Sequence, residues 1–334
     1  MKKGLIIMNN KFVDLVYPHK IRHELEKRLD IYAPPLTQED IKANPSILQK
    51  ADVIFSGWDG PILDRDFLDA APNLDAFFYG AGTVKPLITE DVWDRNLTIT
   101  TAVKANAIPV AEYTLSQILF SLKNGWQFVR NIEEDRSYSK KPYEYLPGGF
   151  DSTVGIISLS TIGTEVVERL KHFDVQVLAY DPLIHPDDAK KLNVTLCSVE
   201  EIFEKSDVIS LHAPLLQETR GMINKAHFLS MKKNASFINT ARRSIVNEEE
   251  MIKVLEKRSD ITAIIDVIFP EPTNKESLLY TLPNIILTPH IAGSEGKECA
   301  RLGHYMLEEF KRYIEGDDLK WKITREQFST MPES

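Results

Sequence analysis

The chain has 334 residues, 43% of them hydrophobic and 27% charged, with a formal net charge of −9 at pH 7. At roughly 100–200 residues per domain, this length predicts two domains and enough material for two cores. The acidic balance argues against non-specific binding to nucleic acid or to an anionic membrane, both of which need a cationic surface.

No run approaches the ~20 apolar residues that a bilayer span requires. The two cysteines, Cys197 and Cys299, stand far apart in sequence. Free thiols in a reducing, cytoplasmic setting are therefore expected rather than a disulfide framework, and no metal site is expected. Near the N-terminus, Gly4–Met8 is a short apolar run that stops at Asn9-Asn10. It is too short for a signal-peptide core and suits a first strand.

Apolar runs recur at Gly4–Met8, Ile31–Ala33, Asp52–Ser56, Ala76–Tyr79 and Leu97–Thr101. Amphipathic stretches lie between them at Lys20–Leu29, Gln38–Lys50, Asp64–Ala71 and Glu90–Arg95. Strand–helix alternation of this kind predicts a parallel sheet covered on both faces. Val110, Tyr113, Thr114, Gln117, Ile118 and Ser121 then fall on one face of a long helix that continues past Trp126 and can connect two domains. Ser137–Asp151, with Pro142, Pro147, Gly148 and Gly149, reads as loop.

A second alternating block begins at Thr153. Strands are predicted at 154–157, 175–180, 207–212, 235–239, 261–267 and 284–288, and helices over 164–173 and 296–314. The expected fold class is α/β, two Rossmann- or flavodoxin-like domains with parallel sheets and a cleft between them.

The pattern strand, turn, helix, strand, Asp over 153–181 is that of a dinucleotide-binding βαβ unit, which sets a pyrophosphate on a helix N-terminus. Its fingerprint G-x-G-x-x-G reads here Ser158-Leu159-Ser160-Thr161-Ile162-Gly163, so only the third glycine stands. Ser160, Thr161 and Ile162 would face the phosphates, with the Ser160 hydroxyl able to donate to them. Asp181 ends the second strand and can accept hydrogen bonds from the adenosine ribose; it also fits a turn before Pro182. With no Arg or Lys at 182–186 to pair a 2′-phosphate, the expected cofactor is NAD rather than NADP.

Three later segments follow strands, and so should lie at the carboxyl edge of a sheet: Phe237–Arg242, Ile265–Val267 with Pro270-Glu271-Pro272, and Leu287–Gly293. Reduction of a 2-keto acid needs a proton donor at the carbonyl oxygen, for which a histidine suits. A carboxylate holds the imidazolium form, and a guanidinium binds the substrate carboxylate bidentately. His290, Glu271 and Arg242 supply these types. Singly, each also fits a structural histidine, a solvated loop or a surface arginine.

With these segments in view, the sequence resembles the D-isomer-specific 2-hydroxyacid dehydrogenases, a family that includes phosphoglycerate and glyoxylate/hydroxypyruvate reductases. The likeness is carried most by "SDVISLHAPLLQETRGMIN", "FINTARRSIVNEEEMIKVL", "AIIDVIFPEP" and "NIILTPHIAG". It implies that Arg242 binds substrate, His290 is the acid/base and Glu271 pairs with it. It places Thr240 and Asp266 near the nicotinamide, and Pro214 and Thr219 along the cofactor. Gly82 and Thr83 would bind the substrate carboxylate through backbone N–H groups, and Asn106 would face the active site. The resemblance further implies a homodimer formed through about 108–150.

On this basis residues 1–102 plus 295–334 form a substrate domain and 103–294 an NAD-binding domain. The substrate is a small 2-keto or D-2-hydroxy acid. An NAD(H)-binding regulator or corepressor of the same fold is the alternative, although no partner-binding motif points to it.

The chain departs from the family at Ser158 and Ser160, at Arg243 where glycine is usual, and at Lys85. The Lys85 side chain could reach a second anionic group of the substrate, or simply face solvent before Pro86.

Overall fold

The computed structural model describes residues 1–138, 146–271, 273–329 and 331. Residues 139–145 of the expected loop, with Pro142, and Pro272 of the Pro-Glu-Pro segment lie outside them. The chain divides into two compact units, Met1–Asn106 with Ser294–Ser334, and Ala107–Gly293.

The first unit holds β1 (Lys2–Ile7), β2 (Leu29–Ile31), β3 (Val53–Ser56), β4 (Ala76–Tyr79) and β5 (Thr98–Thr101). They form one parallel sheet in the order β2-β1-β3-β4-β5. Strands β3 and β4 are buried at every position, as a sheet covered on both faces requires. On one face Phe55 and Phe78 pack against Leu302, Met306 and Phe310 of the helix Cys299–Glu315. On the other, Ile54 and Phe77 pack with Val84, Leu87, Val92 and Phe328. The segment after the terminal helix runs antiparallel beside β5, with Thr100 opposite Lys322 and Ile323 N–H bonded to the Ile99 carbonyl at 2.9 Å.

The second unit holds β6 (Phe150–Ile157), β7 (Asp174–Tyr180), β8 (Thr195–Leu196), β9 (Val208–Leu211), β10 (Ser236–Asn239), β11 (Thr262–Ile265) and β12 (Ile285–Leu287). All pair in parallel, in the order β12-β11-β10-β9-β6-β7-β8. The order turns back at β6, so the crevice at the carboxyl ends of β6 and β9 is the switch point where such sheets take ligands. Strands β9, β10 and β11 are wholly buried.

Three expectations need correction. The expected helix over Gln38–Lys50 is an α-helix over Gln38–Ala43 followed by a 3-10 turn over Pro45–Lys50, because Pro45 has no N–H to continue the ladder. The long helix does not continue past Trp126. It runs over Val103–Ser121, and a second helix starts at Gly125 after Asn124 takes a left-handed conformation (φ 48°). At Gly125 a Cβ would stand 2.4 Å from the end of the Phe120 ring, so a larger residue would have that ring turn aside. The predicted loop ends earlier than Asp151, because β6 already begins at Phe150.

Candidate active site

The switch point is built from the turn between β6 and the helix Thr161–Leu170. Ser158, the first residue of this turn, holds φ at +77°. A Cβ on Gly163 would stand 2.0 Å from the Ser158 carbonyl oxygen, so the helix can approach the strand this closely only with glycine at 163. Ser160 caps the helix: its hydroxyl accepts from Gly163 N–H and donates to the His212 carbonyl at 2.8 Å. In this position the one Ser160 proton goes to the His212 carbonyl, so the expected donation to a phosphate requires the hydroxyl to turn. Helical geometry leaves the N–H groups of Thr161 and Ile162 without intrahelical partners, and these can receive an anion.

Asp181 follows β7, and its carboxylate serves the turn on both sides. Oδ2 accepts from Ser158 Oγ at 3.1 Å and Leu159 N–H at 2.8 Å. Oδ1 accepts from Leu183 N–H at 2.9 Å and Ile184 N–H at 3.2 Å. Pro214 and Thr219 also meet each other: Thr219 Oγ1 accepts from Leu216 N–H at 2.8 Å and contacts the Pro214 carbonyl at 2.6 Å. The Thr219 hydroxyl thus closes a turn beside Pro214. A glycine-tight turn, two free helical N–H groups and a strand-end carboxylate together fit a dinucleotide.

The ends of β10, β11 and β12 bring the catalytic candidates together. His290 Nδ1 lies 3.1 and 3.2 Å from the two Glu271 oxygens. Both side chains are about half exposed, so the pair is open to a ligand. Arg242, after β10, is half-buried, and desolvation lowers its guanidinium pKa while the charge of Glu271 opposes that shift. Its Nη1 donates to the Ala241 carbonyl at 2.8 Å. Asn239 braces this loop, accepting from Ala241 N–H at 3.0 Å and donating to the Arg242 carbonyl at 3.3 Å. Arg243 is not a ligand group here; it forms a two-pronged ion pair with Glu248 at 2.7 and 2.9 Å.

His290 itself holds φ at +57°, and its N–H bonds the Thr288 carbonyl at 3.0 Å. What fixes this unusual backbone is Asp266, which is 2% exposed. Its Oδ1 accepts from Thr288 Oγ1 at 2.6 Å and Ile291 N–H at 3.0 Å, and its Oδ2 from Ala292 N–H at 2.9 Å. Since the Thr288 proton goes to Asp266, Tyr113 must donate to Thr288 Oγ1, at 2.8 Å. Burial raises the pKa of the Tyr113 phenol, which keeps that proton in place. Asp266 thus anchors the histidine loop through both carboxylate oxygens. Tyr113 and Thr288 were not singled out from sequence, and no local pattern marks them. Thr240 is buried, with its hydroxyl 3.3 Å from that of Thr114.

In the first unit, Gly82 and Thr83 follow β4, and a Cβ on Gly82 would meet nothing within 4 Å. Thr83 Oγ1 accepts from Lys85 N–H at 3.2 Å. Asn106 Oδ1 accepts from Ser294 N–H at 2.9 Å, which ties together the two segments of this unit. Lys85 is half-buried. Its ammonium donates to the Phe328 carbonyl at 2.9 Å and lies 4.4 Å from the centre of the Phe328 ring. This carbonyl contact uses one of the three donors of the ammonium.

Comparison with known proteins agrees with this geometry. Residues 115–292 match the family model described as D-isomer specific 2-hydroxyacid dehydrogenase, NAD binding domain. The chain is 29% identical over 286 residues to a D-3-phosphoglycerate dehydrogenase of Methanocaldococcus jannaschii, covering 85% of this chain and 53% of that one. The chain thus spans about half the length of that relative. A glyoxylate reductase of Korarchaeum cryptofilum is 26% identical over 314 residues, covering 92% of this chain and 93% of the other. A phosphoglycerate oxidoreductase from Rhizobium etli shares the fold, with a TM-score of 0.82 at 20% identity over 98% of this chain and 99% of that one. A parallel sheet with a dinucleotide cradle at its switch point and a histidine–glutamate pair at its carboxyl edge is matched over more than half of the sequence. The chain therefore belongs to the D-isomer specific 2-hydroxyacid dehydrogenase family, with residues 115–292 as its NAD-binding domain.

Proposed function

We propose that the protein is an NAD-dependent oxidoreductase that interconverts a small 2-keto acid and the matching D-2-hydroxy acid. The observation that carries this reading is the His290–Glu271 pair at 3.1 Å, with Arg242 under the influence of the same carboxylate. NADH, when bound, supplies the hydride. His290 donates a proton from Nε2 to the carbonyl oxygen, while Glu271 holds Nδ1 and orients the ring. Arg242 binds the substrate carboxylate and polarises its carbonyl, and its half-buried setting strengthens both interactions. Gly82, Thr83 and Asn106 belong to the same proposal as substrate-side groups, and Thr240 and Asp266 as nicotinamide-side groups. The first unit would serve as the substrate domain.

NAD is preferred over NADP in this reading, because the Asp181 charge repels a 2′-phosphate. A homodimer is supported by Phe120, Val129 and Ile132, large apolar side chains about 40% exposed along the helices Val103–Ser121 and Gly125–Asp135. The free thiols of Cys197 and Cys299 support a reducing compartment such as the cytoplasm.

The test is NADH oxidation across a panel of glyoxylate, pyruvate, hydroxypyruvate and phosphorylated keto acids. With the best substrate, His290→Ala should lower turnover about 10²–10⁴-fold and leave NADH binding intact. Turnover unchanged in that variant would remove His290 from the mechanism. NADH binding without turnover on any keto acid would favour a regulator.

A further inference from the structure

A carboxylate offers about four lone-pair positions to donors. In Asp181 all four are engaged from within the chain, two on each oxygen. Recognition of an adenosine ribose by a strand-end acid draws on the same positions. A ribose hydroxyl must therefore displace a donor that is already there.

The four donors differ in how they can leave. Leu159, Leu183 and Ile184 donate through backbone N–H groups, and moving any of them moves the turn. Ser158 donates through a hydroxyl, which a single χ1 rotation withdraws. Ser158 also occupies a left-handed position (φ +77°) that favours glycine, so a side chain is kept there at the cost of backbone strain. It is 7% exposed, and in its observed position the hydroxyl is spent on Asp181.

We propose that Ser158 sets cofactor affinity by competing with the adenosine ribose for the Asp181 carboxylate. The bond from Ser158 Oγ to Asp181 Oδ2 must open before the ribose is held, so this chain gains less from the ribose hydroxyls than a glycine at 158 would allow. The inference rests on the NAD-binding assignment and is independent of the catalytic reading. Strain at 158 is common to the free and bound forms, so its relief alone leaves affinity unchanged.

The experiment measures binding of NADH and of its 2′-deoxyadenosine analogue to the full chain by calorimetry, for wild type, Ser158→Ala and Ser158→Gly. Alanine removes the hydroxyl and keeps the Cβ; glycine removes both and relieves the strain, which keeps at least one variant folded. Both variants should bind NADH about three- to tenfold more tightly than wild type, and the deoxy analogue equally to wild type. Wild type should distinguish the two ligands by less than about threefold. NADH binding unchanged or weakened in both variants would overturn the proposal. So would equal tightening of both ligands, which would mean that the turn relaxed without any competition at Asp181. Failure of every form to bind NADH would overturn the NAD-binding assignment along with it.

Discussion

Asp266 is where a one-atom change should be felt most. Asp266→Asn keeps the shape and removes one acceptor. If the remaining oxygen stays toward Thr288 Oγ1 and Ile291 N–H, the new amide N–H₂ faces the Ala292 N–H, donor against donor. One hydrogen bond to a charged group is lost, worth about 1.5–3 kcal/mol, and a buried N–H is left without a partner. Turning the amide over is worse, since Thr288 and Ile291 then both lose the stronger acceptor. The net cost is about 2–3 kcal/mol, which in a unit of this size lowers its melting transition by roughly 4–12 °C. Differential scanning calorimetry of the full chain reads this directly. Turnover should fall as well, because His290 is held at φ +57° by the loop that Asp266 ties down. A transition shifted by less than about 1 °C would refute the reasoning, since it would mean that the three bonds to Asp266 contribute little net energy.

Further outcomes follow from the same contacts. Ser160→Ala removes a helix cap and should cost about 1 kcal/mol in urea unfolding, whereas Ser160→Gly should cost only a few tenths; equal costs would argue against capping. Lys85→Met should raise the protease sensitivity of the segment Arg325–Ser329 and change KM alike for singly and doubly charged keto acids. A KM rise confined to a phosphorylated keto acid would return Lys85 to the substrate. His212 is buried, and burial depresses its pKa to about 3. The folded form stays neutral while the unfolded chain, near 6.5, takes up a proton as pH falls. Stability should therefore drop between pH 6.5 and about 3, by at most ~1.4 kcal/mol per unit, and His212→Asn should flatten that slope. An identical slope in the variant would assign the acid sensitivity to other groups.

Strands and the pairing of His290 with Glu271 were legible in the sequence because both are written locally. Runs such as Val53–Ser56 and Ser236–Asn239 are apolar enough to be buried on both faces, and each appears within a residue or two of its expected place. His290 and Glu271 follow such strands, so the sheet edge that collects them could be anticipated. The two-residue β8 carries no periodicity, and β2 lies two residues earlier than Ile31–Ala33 suggested. The break at Asn124 was hidden by a continuous helical pattern on either side. Side-chain roles were the least legible. Lys85 finds its partner 243 residues away, and Tyr113 finds Thr288 175 residues away. No spacing rule reaches across such separations, and an ammonium or a phenol gives no sign in sequence of which carbonyl or hydroxyl it will meet.

The three fingerprint positions make the same point about glycine. They read Ser158, Ser160 and Gly163, and from sequence the two serines look like equal defects. In the structure they are unequal. Ser160 has φ −56°, open to any residue, and its side chain caps the helix that the fingerprint serves. Serine there replaces nothing that the backbone needs. Gly163 is required, because any Cβ would collide with the Ser158 carbonyl, a backbone atom that cannot yield without moving the strand. Of the three positions Ser158 alone is a side-chain-bearing residue in a conformation that favours glycine, and its hydroxyl meets Asp181, the acid proposed to hold the ribose. In our proposal the departure that bears on the cofactor is the first serine, and the mutation that separates the two is the same substitution made twice. Ser158→Gly should change NADH affinity while Ser160→Gly leaves it nearly unaltered, and the reverse order would place the cofactor's constraint on the second position instead.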